Sequence, residues 1–316
     1  MRCRTAPGVE SSDVSDVDAM AEAMADGVFS EYVQLEAKPF TGHWLVVRLA
    51  GVTVQCGRED VGVVRRVLVP PEKCLLMIPL AVLESVRWNG RALHRDDLIV
   101  CPPRAECYAF DAGGTRFALI SVSERGVAAR CARSLVGNEA RPSTVRQRPE
   151  DARRLQRELC GIATAAQSGR LPERAGRALT LAVMSSLKGA IVEGKRPLTT
   201  PRRGQIVQRA EQFFKLHVGE AVSMARLSDV TGVSERSLRN AFYDVCTTSP
   251  KRYLKLCQLH EVRRALRASE RGVATVTNVA TLHGFYELGR FAVEYKALFG
   301  ESPSETLAQA RTRNAP

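Results

Sequence analysis

Arg236, Arg239 and Asn240 are the side chains of this 316-residue chain whose types and spacing most directly suggest chemistry. Steps of three and four residues put them on one face of a helix. A guanidinium can donate two hydrogen bonds to O6 and N7 of guanine, and an asparagine amide can pair in the same bidentate way with adenine. Such groups must be delivered by the N-terminal turns of a helix, and the surrounding residues supply one. Gly232 follows a short stretch carrying Leu227 and Val230. Ser234 is a good N-cap for a helix over about Glu235–Cys246 that ends near Ser249-Pro250. A short helix, a turn containing glycine and a second helix make the helix-turn-helix arrangement. Leu238 and Phe242 are expected to face the core, while Glu235 and Ser237 share the N-terminal turns with the candidate readers.

The pattern recurs. Val279, Leu282 and Phe285 surround Gly284, Phe291 and Tyr295 take the places of Leu238 and Phe242, and Ser302-Pro303 repeats Ser249-Pro250. The offset is 52 residues at the glycines and 53 after them, and chance rarely reproduces both a turn and a terminator at a fixed offset. Between the copies, Lys251–Arg267 contains neither Gly nor Pro. As a helix it is a rod of roughly 25 Å. Such a rod can hold two recognition helices about one duplex turn apart, so that one chain reads two successive major-groove segments. In the second copy the exposed face offers Tyr286, Glu287, Leu288, Gly289, Arg290 and Glu294, a set poorer in donors. The first copy is therefore expected to carry more direct readout, and the second apolar, shape and phosphate contacts. Ser234, Ser237, Thr247, Lys251, Arg252 and Thr277 are candidate phosphate contacts. A plain helical bundle would need neither paired glycine turns nor repeated Ser-Pro stops.

Basic charge is confined to the half that carries the repeat. Residues 1–140 hold 16 Lys and Arg against 18 Asp and Glu, residues 141–201 hold 12 against 5, and residues 202–316 hold 18 against 11, within a formal net charge of +12. That asymmetry suggests a polyanionic partner for the second half. Hydrophobic residues at 45% and charged residues at 25% are ordinary globular values, and the length suits two domains. The longest apolar run, Leu75 to Leu83, is broken by Pro79 and falls well short of a membrane span. The N-terminus, with Glu10, Asp13, Asp16, Asp18, Glu22 and Asp26, does not read as a secretory signal. Nine scattered cysteines without a Cys-x-x-Cys pair fit the reduced thiols of a cytoplasmic protein, without disulfides or a zinc site.

The elements that must position these groups fall into five stretches. Residues 1–30 read as a mobile acidic tail with a short helix near Val17–Met24. Residues 31–125 contain short apolar runs (His43–Ala50, Val52–Cys56, Val61–Val69, Cys74–Ile78, Leu98–Cys101, Tyr108–Phe110 and Arg116–Val122) separated by turn signals, including the hairpin dipeptide Asn89-Gly90. This spacing predicts an antiparallel β barrel or jelly roll. Residues 126–196 turn helical, with Pro149-Glu150-Asp151 opening one helix (stripe Leu155, Leu159, Ile162) and Leu171-Pro172 another (Leu179, Val183, Leu187, Ile191). Those stripes can pack on a second copy, giving a homodimer, or on their own barrel. Residues 197–204 form a basic linker, and residues 205–310 an all-α domain of two helix-turn-helix motifs joined by a long helix, so the fold class is α+β.

An enzyme reading finds no support. There is no Gly-x-Ser-x-Gly elbow, no phosphate-binding loop and no His-Glu-x-x-His. Asp111-Ala112-Gly113-Gly114 is a turn, Cys101 with Cys107 makes a poor methyl-acceptor site, and His43 and His94 stand isolated, so neither a metal nor a cofactor is expected. The competing reading is a non-specific or architectural DNA binder, which shares the salt-dependent phosphate contacts. Tandem recognition helices bearing Arg and Asn favour sequence-specific readout.

Over roughly Gln205–Ala310 the chain resembles the AraC/XylS family of bacterial transcription regulators. The resemblance is carried by Ala280, His283-Gly284-Phe285, Phe291, Tyr295, Leu298-Phe299-Gly300 and Ser302-Pro303. Leu288-Gly289-Arg290-Phe291-Ala292 and Glu301-Ser302-Pro303-Ser304-Glu305-Thr306-Leu307 look like the branch of ethanolamine-operon activators. The resemblance implies promoter DNA, a small-molecule effector and RNA polymerase as partners, with activation rather than repression. It also implies a sensory, cupin-like N-terminal domain with an effector pocket in its mouth, and the branch alone points to ethanolamine or a cobalamin. Positions matching the family's base-contacting ones are Arg236, Arg239 and Asn240 in the first motif and Leu288, Gly289, Arg290 and Val293 in the second. Leu288, Gly289 and Val293 depart from that pattern, because their side chains cannot hydrogen-bond a base.

Overall fold

In a computed structural model, residues 2–6, 8–24, 28–81, 86–136, 142–192, 199–220, 222–269 and 275–313 are described. The chain divides into two units, Met1–Tyr32 with Phe40–Leu198, and Val33–Pro39 with Thr199–Pro316.

The N-terminal unit is built from β1 (Arg2–Ala6), β2 (Val9–Val14), α1 (Val17–Met24), β3 (Phe29–Gln34), β4 (Gly42–Leu49), β5 (Val52–Glu59), β6 (Val63–Leu68), β7 (Lys73–Ala81), β8 (Arg87–Trp88), β9 (Arg91–Ala92), β10 (Asp97–Cys101), β11 (Glu106–Asp111), β12 (Arg116–Ser123), α2 (Val127–Val136), β13 (Ser143–Arg146), α3 (Pro149–Gln167), α4 (Ala175–Lys188) and β14 (Ile191–Val192). The strands form a nine-stranded sheet, ordered β1-β2-β4-β5-β12-β7-β10-β13-β14, and a five-stranded sheet, ordered β3-β6-β11-β8-β9. Leu119 of β12 lies between Gln55 of β5 and Met77 of β7, both antiparallel neighbours. The expected hairpin forms at Asn89 (φ 47°) and Gly90 (φ 82°), with Asn89 Oδ1 accepting from the Tyr108 N–H at 2.9 Å.

Successive side chains of a strand point to opposite faces, and both faces of the long sheet are covered. Trp44, Val46, Leu75, Met77, Phe117 and Leu119 share a core with Val63, Val67 and Ala109 of the short sheet and with Met20 and Met24 of α1. Leu45, Val47, Leu76, Ile78, Ala118 and Ile120 form a second core with Leu155 and Leu159 of α3 and Leu179 and Val183 of α4. This corrects two expectations and selects one of two alternatives. The strands make two open sheets and not a closed barrel, because their alternation serves two separate cores. Of the two packings open to the apolar stripes of α3 and α4, Leu155, Leu159, Ile162, Leu179, Val183 and Leu187 lie on their own sheet, whereas Ile191 falls in β14 and is exposed. Residues 9–24 are no tail. β2 pairs along β4, with Ser12 opposite Trp44, and Val17, Met20 and Met24 are buried while Asp16 Oδ1 caps α1 by accepting from the Asp18 and Ala19 N–H groups.

A charged cluster lies between the sheets. Glu59 comes from the long sheet and Arg65 and Asp111 from the short one, and all three are buried. Arg65 Nη1 is 3.4 Å from Glu59 Oε1, its Nη2 is 3.5 Å from Asp111 Oδ2, and its guanidinium lies 4.2 Å above the Phe117 ring. Glu59 Oε2, Arg65 Nε and Gln55 Oε1 make no hydrogen bond among the described residues.

The C-terminal unit is helical: α5 (Thr199–Leu216), α6 (Met224–Thr231), α7 (Glu235–Cys246), α8 (Pro250–Ala268), α9 (Val276–Leu282), α10 (Leu288–Phe299) and α11 (Pro303–Arg313). Residues 199–204, expected as linker, are the first turns of α5, and residues 197–198 lie outside the described residues. Tyr253, Leu254, Leu256, Cys257, Leu259, His260, Val262, Arg263 and Leu266 of α8 are all buried, so this helix is core on most of its circumference. The segment Val33–Pro39 packs in the same unit. The Gln34 N–H donates to His260 Nε2 at 3.0 Å, and Gln34 Nε2 donates to the Leu298 carbonyl at 2.9 Å.

Burial raises the Glu59 carboxyl from 4.5 to about 7, against the pull of Arg65 and with Asp111 adding to the rise. The folded unit then binds this proton more tightly than the unfolded chain, so the stability it contributes is complete below the ordinary carboxylate value and is lost as the pH rises through about 7. The thermal midpoint is expected to fall between about pH 5 and about pH 8, and Glu59→Gln to remove part of that fall. An equally steep fall in the Gln variant would assign it to another group.

Candidate nucleic-acid interface

Local turn chemistry fixes each motif. Ser223 caps α6 by accepting from the Arg226 N–H at 3.2 Å. The helix stops at Gly232, whose φ of 69° is left-handed, and the Gly232 and Val233 N–H groups close back on the Ser228 carbonyl at 2.9 and 3.2 Å. Ser234 then caps α7, accepting from the Ser237 N–H at 3.2 Å. In the second motif Thr275 caps α9 (Asn278 N–H, 3.1 Å). His283 ends that helix, Gly284 turns the chain at φ 82°, and the Phe285 N–H closes on the Ala280 carbonyl at 2.9 Å. The inserted residue of the repeat falls between Gly284 and Leu288, where Glu287 takes the N-cap position without a side-chain cap bond.

Leu238, Ala241, Phe242 and Val245 of α7 are buried, as are Phe291, Tyr295 and Leu298 of α10. The opposite face of α7 exposes Arg236, Ser237, Arg239 and Asn240 together, with Ser234 exposed just before them and Glu235 half-buried. Tyr243 continues that face at 54% exposure. It was missed in the sequence, where an aromatic at helical spacing reads as core. On α10 the exposed residues are Gly289, Arg290, Val293, Lys296 and Ala297, with Tyr286 and Glu287 exposed before them and Leu288 half-buried. Thr277 is exposed in the first turn of α9, and Lys251 and Arg252 in the first turn of α8. Arg252 Nη2 also donates to the Leu35 carbonyl at 3.2 Å. Thr247 ends α7 in a left-handed conformation at φ 53°.

Three of the cations, Arg239, Lys255 and Arg290, are held by carboxylates. Arg239 Nη2 is 2.6 Å from Glu235 Oε2 on its own helix. Arg290 Nε is 3.1 Å from Glu294 Oε1, and its Nη1 is 3.8 Å from Glu287 Oε2. Lys255 Nζ of α8 reaches Glu294 Oε2 at 2.5 Å. Burial alone would raise the Glu294 carboxyl, but hydrogen bonds from Lys255 and Arg290 outweigh it and hold that group below its ordinary value. Exposed pairs of this kind are worth about 0–1 kcal/mol, so the guanidinium groups can exchange a carboxylate for a base edge or a phosphate at little cost. Lys251, Lys255, Tyr286, Arg290 and Glu294 line a groove of about 600 Å³. Lys255 was not singled out in the sequence, because its place beside Glu294 depends on how α8 and α10 pack. Among the described residues no group of three His, Cys, Asp or Glu side chains is arranged for a metal ion.

Residues 227–309 match the family model described as a helix-turn-helix domain. The surrounding C-terminal region is similar to AraC-type transcriptional activators. It is 36% identical over 104 residues to the XylDLEGF operon transcriptional activator of Pseudomonas putida, covering 33% of this chain and 32% of that relative. Identity to the HTH-type transcriptional activator RhaS of Escherichia fergusonii is 30% over 118 residues, covering 37% and 40% of the two chains. A solved structure described as a probable AraC family transcriptional regulator, from Rhodopseudomonas palustris, shares 33% identity with a TM-score of 0.30, covering 34% of this chain and 97% of that one. The chain thus matches about a third of the length of the Pseudomonas relative.

The two turn glycines differ in surroundings. Around Gly232 nothing lies within 4 Å of where a Cβ would stand, whereas at Gly284 the Gln258 Nε2 is 3.0 Å away and the Gly219 Cα 3.3 Å. Gly232→Ala is expected to cost only the left-handed strain, about 1–2 kcal/mol. Gly284→Ala should cost more, because Gln258, which donates to the His283 carbonyl, must also move. Thermal unfolding of the two variants checks the order, and equal costs would show that the Gln258 contact yields freely.

Proposed function

We propose that the chain is a sequence-specific, DNA-binding transcription regulator, an activator, that reads two adjacent major-groove segments of promoter DNA. The observation that carries this reading is the tandem motif, in which α7 exposes Arg236, Arg239 and Asn240 on one face and α8 joins it to a second motif of the same build. Nineteen residues of α8 span about 28 Å, close to one turn of duplex. The transcriptional activators named above support the reading for the C-terminal third, and the Leu288–Ala292 motif supports placing it near the ethanolamine-operon activators. On this reading RNA polymerase is a partner and the protein works in the cytoplasm. Among the described residues no helix is long and apolar enough to cross a membrane.

The N-terminal unit serves as the effector sensor. What supports this is the charged cluster between its sheets, where Glu59 Oε2 and Arg65 Nε are buried hydrogen-bonding groups that a small polar molecule would satisfy. Burying such groups unsatisfied costs about 1–3 kcal/mol each.

Selection from random duplexes by the full chain at physiological salt should enrich two half-elements about one helical turn apart. Uniform recovery would point instead to an architectural binder. On the selected duplex Arg239→Ala is expected to lose about 1–3 kcal/mol and to relax the preference at one base pair. An equal loss on scrambled DNA would reduce Arg239 to a phosphate contact. Lys251→Ala should weaken binding to all sequences and lower the salt slope by about one. An unchanged slope would remove Lys251 from the footprint.

A further inference from the structure

The two recognition helices present different chemistry. α7 exposes hydrogen-bonding groups, whereas the one large apolar side chain exposed on α10 is Val293, at 71%. Val293 is two residues from the buried Phe291, about 200° around the helix, so it is not the fringe of the core stripe Phe291, Tyr295 and Leu298. A β-branched residue at such a position weakens the helix slightly and gains no burial within the chain. Gly289, one turn earlier on the same face, has nothing within 4 Å of where a Cβ would stand. No neighbour in the chain therefore requires a glycine there, and its missing side chain leaves the approach to Val293 open. Arg290 and Lys296 flank Val293 on the exposed face, which suits a polyanion better than an apolar protein surface.

In the major groove the base feature that an aliphatic side chain can read is the C5-methyl group of thymine. Resting on the DNA-binding reading above, we propose that Val293 is a specificity-determining residue that reads thymine methyl groups in the segment taken by α10. The two half-sites then differ in kind, with hydrogen-bonded purines under α7 and thymine methyls under α10.

The test uses the full chain and a duplex selected by it. The half-element whose base preference Arg239→Ala relaxes belongs to α7, and the other belongs to α10. Each thymine of the α10 half is replaced in turn by deoxyuridine, which removes only the methyl group. At one or two positions binding is expected to weaken roughly fourfold, the value of one buried methyl group. Val293→Ala should bind the thymine duplex more weakly by a similar factor and no longer distinguish thymine from uracil there. A fourfold loss that persists in Val293→Ala would overturn the proposal in favour of another side chain or of duplex shape. Sequence-specific binding without any uracil sensitivity in that half would overturn it as well. Failure to select any duplex would bring down the DNA-binding reading itself, a result distinct from both.

Discussion

The arrangement of the C-terminal unit depends on the burial of one helix. α8 is core on most of its circumference, and its Lys255, Gln258 and Arg263 bond α10, the turn before α10 and Glu301 beyond it. Packing against α8 and, for the first motif, against α5 fixes the motifs more firmly than their own short helices could, since α6 and α9 have only eight and seven residues and helices that short are marginal alone. The separation of the two reading faces is set by a rod that cannot bend without opening the core. On the proposed function, the spacing of a DNA element read by both is a property of α8, while the identity of the bases is left to exposed residues that contribute little to stability.

That division extends to electrostatics. Arg239 and Arg290, offered for recognition, are tethered to carboxylates of their own helices at the surface, where the pairs are cheap to break. Arg263 is different. It is 5% exposed, is bound bidentately by Glu301 Oε1 through Nε and Nη2, and lies 4.7 Å from the Phe299 ring centroid. Removing either partner of such a buried pair is costly. Similar residue types therefore serve as structure in one place and as adjustable contacts in another, and burial decides which.

What could be read in the sequence follows the range of the interactions involved. Gly232, Gly284, the cap Ser234 and the Ser249-Pro250 stop act within four residues of themselves, so the motifs, their order and the core positions Leu238, Phe242, Phe291 and Tyr295 were legible. Most strands were legible too, as β-branched runs. Closure was not, because a period of two looks the same whether alternate residues serve one interior or two. β2 escaped notice because a strand with half-exposed Glu10, Ser11 and Ser12 lacks apolar content. The cluster of Glu59, Arg65 and Asp111 joins residues from both sheets, and Tyr243 and Lys255 became part of the candidate interface only once the packing of α7, α8 and α10 was known.

The way Val33–Pro39 threads into the C-terminal unit means that no single cut separates the two halves cleanly. A fragment starting at Thr199 would lack the Gln34 amide that meets His260, the side chain that meets Leu298 and the Leu35 carbonyl that holds Arg252. It would bare a buried imidazole on the very helix that sets the spacing of the two motifs. A short peptide copied from the N-terminal half is the missing piece, so the helical unit is assembled from two distant stretches of chain.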